Sequence, residues 1–174
     1  MAPFRITGFA TAILASLALA APSIAEQPTI CFTPGQDCQG LIEAELGKAR
    51  RTIDVQAYSF TSAPIAKALL DAKSRGVVVR VILDKSQKTE RYTVARLLSN
   101  AGIPVWIDDK VAIAHSKIMI IDGETVITGS FNFTKSAQER NAENVIVLRD
   151  AYVVTRYAAN WDNRRRASEP YNPP

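Results

Sequence analysis

The sequence predicts an α/β domain built on a mixed, largely parallel sheet flanked by helices. Three observations carry that expectation. Helix-like and strand-like segments alternate from residue 41 to residue 107, the order that produces crossover connections and parallel pairing. The last third changes to closely spaced strand-like runs, two of them joined by Asp122-Gly123, a dipeptide suited to a tight antiparallel turn. The composition is that of a globular protein. Of 174 residues, 47% are hydrophobic and 22% charged, which excludes a disordered tail or a fibre. No internal repeat, low-complexity tract or long linker divides the chain, so one domain is expected over residues 26–174.

Residues 1–25 stand apart from that domain. Arg5 precedes Ile6–Ala21, sixteen residues without a charge, and Pro22-Ser23-Ile24-Ala25 then offers a small-x-small cleavage site before Glu26. This is the layout of a secretory signal. The run is shorter than the ~20 apolar residues that cross a bilayer. Its removal takes away Arg5 and no acid, so the formal charge falls from +4 to +3 over 149 residues. Export to periplasm or medium puts Cys31 and Cys38 in an oxidising compartment, where they can close a short loop. Two cysteines are too few for a disulfide scaffold. With one histidine in the chain, a metal site needing two imidazoles from one chain is excluded.

The mature chain reads in order as follows. Leu41, Ile42, Leu46 and Ala49 fit one face of a first helix. Ile53, Val55 and Ala57 alternate with Asp54 and Gln56 as a strand leading to Tyr58-Ser59-Phe60. Pro64 suits the first turn of a helix carrying Ile65, Ala68, Leu69 and Ala72, and Gly76 is placed to end it. Val77 to Leu83 is apolar apart from Arg80 and rich in β-branched residues, a buried strand. A helix with Val94, Leu97, Leu98 and Ala101 stops at Gly102, and a short strand follows near Val105 to Ile107. Ile113 to Ile121, Glu124 to Thr128 and Glu143 to Leu148 are strand-like. Val153, Val154, Tyr157 and Trp161 share a face of a closing helix that runs into Arg164-Arg165-Arg166. The tail from Pro170 onward is expected to fray.

The chemistry gathers around one hairpin. His115 and Lys117, two residues apart, share a strand face. With Asp122 and Gly123 as the two loop residues, Ile121 pairs with Glu124. His115 then faces Ser130, Lys117 faces Thr128 and Ile113 faces Asn132. An imidazole, an ammonium, a hydroxyl and a carboxamide are thereby brought to one surface, and a one-residue slip would scatter them. Lys117 and Asn132 can stabilise charge on non-bridging oxygens, and His115 can act as nucleophile or acid/base near neutral pH. No carboxylate cluster is available nearby to hold magnesium, so the chemistry expected is metal-free attack on a phosphate ester, with no cofactor.

His115-x-Lys117-x4-Asp122 followed by Gly129-Ser130-x-Asn132 resembles the HKD signature of the phospholipase D superfamily. The resemblance runs from about Ala49 through Trp161 and includes Ala57-Tyr58-Ser59-Phe60-Thr61 and Phe131-Asn132-Phe133-Thr134. It is nearest to the small, secreted, single-motif bacterial Nuc-type endonucleases. It implies a phospholipase D-like fold with one motif per chain and a mechanism that uses two histidines. This chain has one, so the resemblance implies a homodimer with a composite site on a two-fold axis. His115 would form a phosphohistidine, Lys117 and Asn132 would bind phosphoryl oxygens, and Ser130 would support the site by hydrogen bonding. Glu143 would orient the imidazole through its other nitrogen. Asp122 and Gly129 would serve the motif structurally.

Substrate is read from charge. Lys85, Lys88 and Arg91 in one loop, Lys135, and Arg164, Arg165 and Arg166 could track a nucleic-acid backbone. The mature sequence offers no evident amphipathic interfacial helix for a lipid surface. A nuclease acting on DNA or RNA is therefore expected ahead of two rivals. One is a phospholipase D acting on phospholipid head groups; the other is an inactive, secreted nucleic-acid-binding module.

Overall fold

A computed structural model of the chain describes residues 26–173, so the signal expected over residues 1–25 lies outside the described residues. The strands are β1 (Thr29–Thr33), β2 (Thr52–Ala57), β3 (Val78–Asp84), β4 (Val105–Asp108), β5 (Lys117–Ile121), β6 (Thr125–Gly129), β7 (Glu143–Leu148) and β8 (Glu169–Pro170). The helices are α1 (Cys38–Lys48), α2 (Ala63–Ser74), α3 (Ala95–Asn100), α4 (Lys135–Glu139) and α5 (Ala151–Ala167), with a 3-10 turn at Lys85–Lys88.

The strands form one mixed sheet in the order β1-β7-β6-β5-β2-β3-β4-β8. Its helices flank both faces, as the sequence predicts, but the share of parallel pairing differs. Only β2–β3 and β3–β4 are parallel; the other five ladders are antiparallel. The reason is connection length. Helices α2 and α3 supply the crossovers that parallel neighbours require, whereas β5, β6 and β7 follow one another through shorter links.

Local chemistry explains the elements. Ser62 caps α2 by accepting from the Ile65 N–H (3.4 Å), Pro64 sits in its first turn, and Ile65, Leu69 and Ala72 bury one stripe. Asp150 caps α5 by accepting from the Val153 N–H (2.8 Å). The larger core lies between α1, α2 and α3 and the face of the sheet that includes Val55, Leu83, Met119 and Ile127. On the other face, α5 lays Val154 and Trp161 over Ile82, Ile118, Ile120 and Val126, and the Trp161 indole donates to the Val55 carbonyl (2.9 Å). Beneath α5, Arg80 forks onto Asp54 of the neighbouring strand (2.6 and 2.7 Å) and lies 4.6 Å from the Trp161 ring centroid.

Three features go beyond or against the sequence expectation. Strand β1 and the short helix α4 carry too few periodic residues to announce themselves. Cys31 on β1 is disulfide-bonded to Cys38 at the start of α1, closing the short loop expected from the sequence. The expected fraying begins too early: Glu169 and Pro170 form β8 against β4, and the Tyr171 N–H donates to the Val105 carbonyl (2.8 Å). The hairpin register is also shifted. Asp122 (φ +57°) and Gly123 (φ +67°) both occupy the left-handed region, and the Glu124 N–H closes the turn on the Ile121 carbonyl (2.9 Å). Yet Ile121 pairs with Thr125 and Ile118 with Thr128, because Glu124 is an extra residue, drawn outward by Arg51 (2.7 Å).

Asp122 pins that turn to the sheet. Its carboxylate accepts from the backbone N–H groups of Arg50, Arg51 and Thr52 (2.9, 2.7 and 2.9 Å). Burial opposes its ionisation, but these three donors outweigh that penalty and hold the carboxyl below its usual range. Asp122→Asn keeps a residue tolerant of the left-handed conformation but removes the charge. It should cost about 1.5 kcal/mol of stability at neutral pH. A carboxyl whose folded value is lowered stabilises above its unfolded value and loses that contribution as acid takes it through the folded one. The gap between wild type and variant should therefore close below pH ~4, which denaturant titrations across acidic pH would measure.

Candidate active site

The site lies at one end of the sheet, where β2, β3 and β4 end and β5 begins. His115 and Ser116 precede β5 instead of belonging to it, so strand alternation is not what brings His115 and Lys117 together. The loop before β5 is fastened from β3. Asp84 accepts from the Ala114 N–H (2.7 Å) and the Ser86 N–H (2.9 Å). Burial works against this carboxylate, and those hydrogen bonds, with Lys85 nearby, bring it below its ordinary range. The Tyr58 N–H, just past β2, donates to the Ser116 carbonyl (3.0 Å). The Tyr58 ring lies 4.6 Å from the exposed His115 imidazole, tilted by 55°.

Lys117 shares a row with Ala57 and Leu83 on the larger-core face, which buries it to 6% exposure. Its ammonium donates to the His115 carbonyl (2.6 Å) and stands 5.1 Å from the Tyr58 ring centroid. Burial lowers its pKa, and the charge of Glu143 partly offsets that. A cation held this way is weakly hydrated and oriented by two neighbours, the state in which an ammonium acts most strongly on an anion.

The other wall is made where β6 leaves the sheet. Gly129 has φ +146°, and a Cβ there would overlap the Asn144 carbonyl oxygen. Immediately after it, the Ser130 and Phe131 N–H groups both donate to that oxygen (3.1 and 3.3 Å), a bulge that breaks alternation. Ser130 Oγ then donates to Glu143 (2.6 Å) while accepting from the Asn144 N–H (3.0 Å). The second Glu143 oxygen accepts from Asn141 Nδ2 (2.9 Å). No hydrogen bond joins Glu143 to His115 within the protomer among the described residues; its two oxygens are taken by Ser130 and Asn141 instead. Asn132 Oδ1 is buried without a partner, leaving its carboxamide uncommitted to the protein.

These groups meet in an open cleft of ≈ 640 Å³. His115, Lys117, Ser130, Asn132 and Glu143 all line it, and Tyr157 and Asn160 of α5 form its side. The bulge and the irregular segment before β5, not the expected co-facial register, assemble the set. Asp84, Asn141, Asn144 and Asn160 also build the site, though the sequence does not single them out. Asp84 alone carried a signal, as a lone acid closing an apolar strand. Asp122 lies at the far end of β5, away from the cleft. Among the described residues, no group of three or more His, Cys, Asp or Glu gathers as a metal site.

The basic residues do not line the cleft. Lys85 reaches the Val111 carbonyl (3.3 Å), Lys88 stands 3.8 Å from Asp109, and Lys135 pairs with Glu139 (3.5 Å). Arg165 lies over the Trp106 ring (5.6 Å) and Arg166 bonds Asn163. Arg164 is removed from the phosphate-binding candidates. Its guanidinium is held bidentately by Asp108 (2.7 and 2.5 Å), a carboxylate wholly shielded from solvent, and this contact raises its pKa.

A scan of family profiles gives the class. The profile described as "Cardiolipin synthase, PLD-like domain" matches residues 42–165. The chain belongs to the phospholipase D superfamily and is a phosphodiesterase of that superfamily. Its relatives include a phospholipase D of Rickettsia conorii, 44% identical over 138 residues, covering 79% of this chain and 69% of that protein. A mitochondrial cardiolipin hydrolase of Xenopus tropicalis is 32% identical over 126 residues, 72% of this chain and 59% of its own length. Among solved structures, Nuc from Salmonella typhimurium, a phospholipase D family member, matches with TM-score 0.78 and 34% identity over 84% of this chain and 99% of that one.

Arg164→Gln should leave Asp108 buried and unpaired, at a cost of about 3 kcal/mol. Arg166→Gln, on the exposed side, should cost less than about 0.5 kcal/mol. Urea midpoints of the two variants would check this.

Proposed function

We propose that this chain is a metal-independent endonuclease, cleaving DNA or RNA phosphodiesters through a phosphohistidine. One observation carries the reading: His115, Lys117, Ser130, Asn132 and Glu143 converge in an open cleft lined mainly by polar side chains. A ring nitrogen of His115 attacks phosphorus, forming a P–N bond as the P–O bond to the leaving strand breaks. The departing oxygen takes a proton from a second imidazolium, which then accepts one from water as water cleaves the P–N bond. Lys117 and Asn132 hold the non-bridging oxygens throughout. Residues 1–25 act as a cleaved export signal in this reading, and the mature chain works in the periplasm or medium.

A phospholipase D is the second reading. Two observations favour it: the names of the relatives at 44% and 32% identity, and an apolar strip of Ile30 (51% exposed) and Phe32 (57%) on β1. Purified protein should nick plasmid DNA in excess EDTA, because its charge stabilisers are side chains. Activity lost in EDTA and restored by magnesium would end the metal-free mechanism. Release of choline from phosphatidylcholine vesicles, with plasmid untouched, would transfer the site to the second reading. Inactivity on every diester would leave the binding module.

The second imidazole requires a second chain, so the enzyme is a homodimer with His115 of each protomer in one site. Glu143 makes no hydrogen bond to its own His115; in this dimer it faces the imidazole of the partner subunit while keeping Ser130 and Asn141 as its other partners. The apolar strip supports the same arrangement. Ile30 is opposite Ile146, and Ile146 opposite Thr128 of the cleft wall, so strip and cleft form one continuous surface. A dimer with one His115→Ala protomer loses either nucleophile or general acid, a factor of about 10²–10⁴. When wild-type and variant chains are co-refolded at random, activity should follow the square of the wild-type fraction. A linear dependence, with mixing verified by mass spectrometry, would show that each protomer is complete.

A further inference from the structure

A second concave surface lies along the loop that follows β3 and the start of α3. It has a volume of ≈ 320 Å³ and is lined by Lys88, Glu90, Arg91, Arg96 and Tyr171, with Thr89 and Thr93 between them. Among the described residues, neither Arg91 nor Arg96 has a carboxylate within ion-pair distance; Lys88 alone is shared, with Asp109 at 3.8 Å. Beside it Tyr92 presents its ring to solvent at 67% exposure, with the Arg91 guanidinium 5.3 Å from the ring centroid. Two arginines without a carboxylate partner, beside one exposed aromatic ring, suit a phosphate backbone whose bases are unpaired enough to stack.

The loop carrying these residues is anchored to the catalytic segments. Gln87 accepts from the Phe60 N–H (3.2 Å), the Val94 N–H donates to the Phe60 carbonyl (3.1 Å), and Lys85 reaches Val111. The same segments lead to Tyr58 and His115.

We infer that Arg91, Arg96, Lys88 and Tyr92, with Tyr171, form a subsite for a single-stranded nucleic-acid segment that extends beyond the catalytic cleft. It rests on the nuclease reading and specifies which substrate that site prefers. The arginines take the phosphates, and Tyr92 stacks a base. Glu90 lies within the same hollow and bonds the Tyr92 N–H (3.4 Å), holding the loop that presents the ring. The subsite gives affinity for long substrates and none for a small diester.

The test compares wild type, Arg91→Gln/Arg96→Gln and Tyr92→Ala, all altered at exposed positions. Substrates are oligothymidylate of about 15 nucleotides and bis(p-nitrophenyl) phosphate. Each variant should raise KM for the oligonucleotide about tenfold without changing kcat. The double variant should also lower the salt slope by about 1.4, for two lost single-strand phosphate contacts. Turnover of the small diester should not change. Unchanged oligonucleotide KM and salt slope, or an equal loss on both substrates, would overturn the subsite. Wild-type cleavage of plasmid in that case leaves the nuclease reading standing. Wild-type hydrolysis of the small diester with no binding or cleavage of plasmid or oligonucleotide would remove both.

Discussion

The carbonyl oxygen of Asn144 is the point on which the site turns. Two successive N–H groups, of Ser130 and Phe131, converge on it, and only a residue without a Cβ fits at Gly129 beside it. This one acceptor ends the regular pairing of β6 with β7. It turns Ser130 toward Glu143 and sends Phe131 and Phe133 into the larger core, which leaves Asn132 between them at the cleft. The glycine of the motif is thus required by close approach, not by flexibility. A side chain there would separate β6 from β7 and spread the wall that carries three of the cleft's polar groups.

The opposite wall depends on carboxylates that touch no substrate. Asp84 holds the segment before His115, and Asp122 holds the distant turn of the same hairpin. Together they fix both ends of β5, so Lys117 has little freedom to move. Lys117 lies in the larger-core row yet projects its ammonium at the strand end, where His115 and Tyr58 receive it. A buried cation with one carbonyl partner keeps donors unused, and an anion entering the cleft satisfies them.

Much of this was legible in the sequence, because periodicity reports burial. The apolar alternation of β2, the β-branched run of β3 and the capped stripe of α2 each stand where their residues point. The membership of the cleft was legible too, since spacing within a motif survives a change of register. The geometry that joins its members was not. Asp122-Gly123 indicates a turn but not the extra residue at Glu124, which is held by Arg51 from the segment just ahead of β2. Basic residues were least legible of all. Arg164, Arg165 and Arg166 are adjacent and chemically alike, and only the fold shows that the first neutralises a buried acid. Arg96 lies outside the run that drew attention, but it shares a hollow with Arg91.

The sheet's two edges are closed by the two ends of the described chain. Strand β1 shields β7, and β8 shields β4, so neither longer strand offers unpaired backbone to a neighbour. This sets an order of assembly. Thr29 pairs with Val147, more than a hundred residues later in the chain, so β1 must wait for β7 to emerge. Until then it is tied only locally, through Cys31 to α1. A chain caught before β7 arrives would leave β1 without a partner and present a raw edge of β6, with the residues of the cleft wall beside it still unassembled.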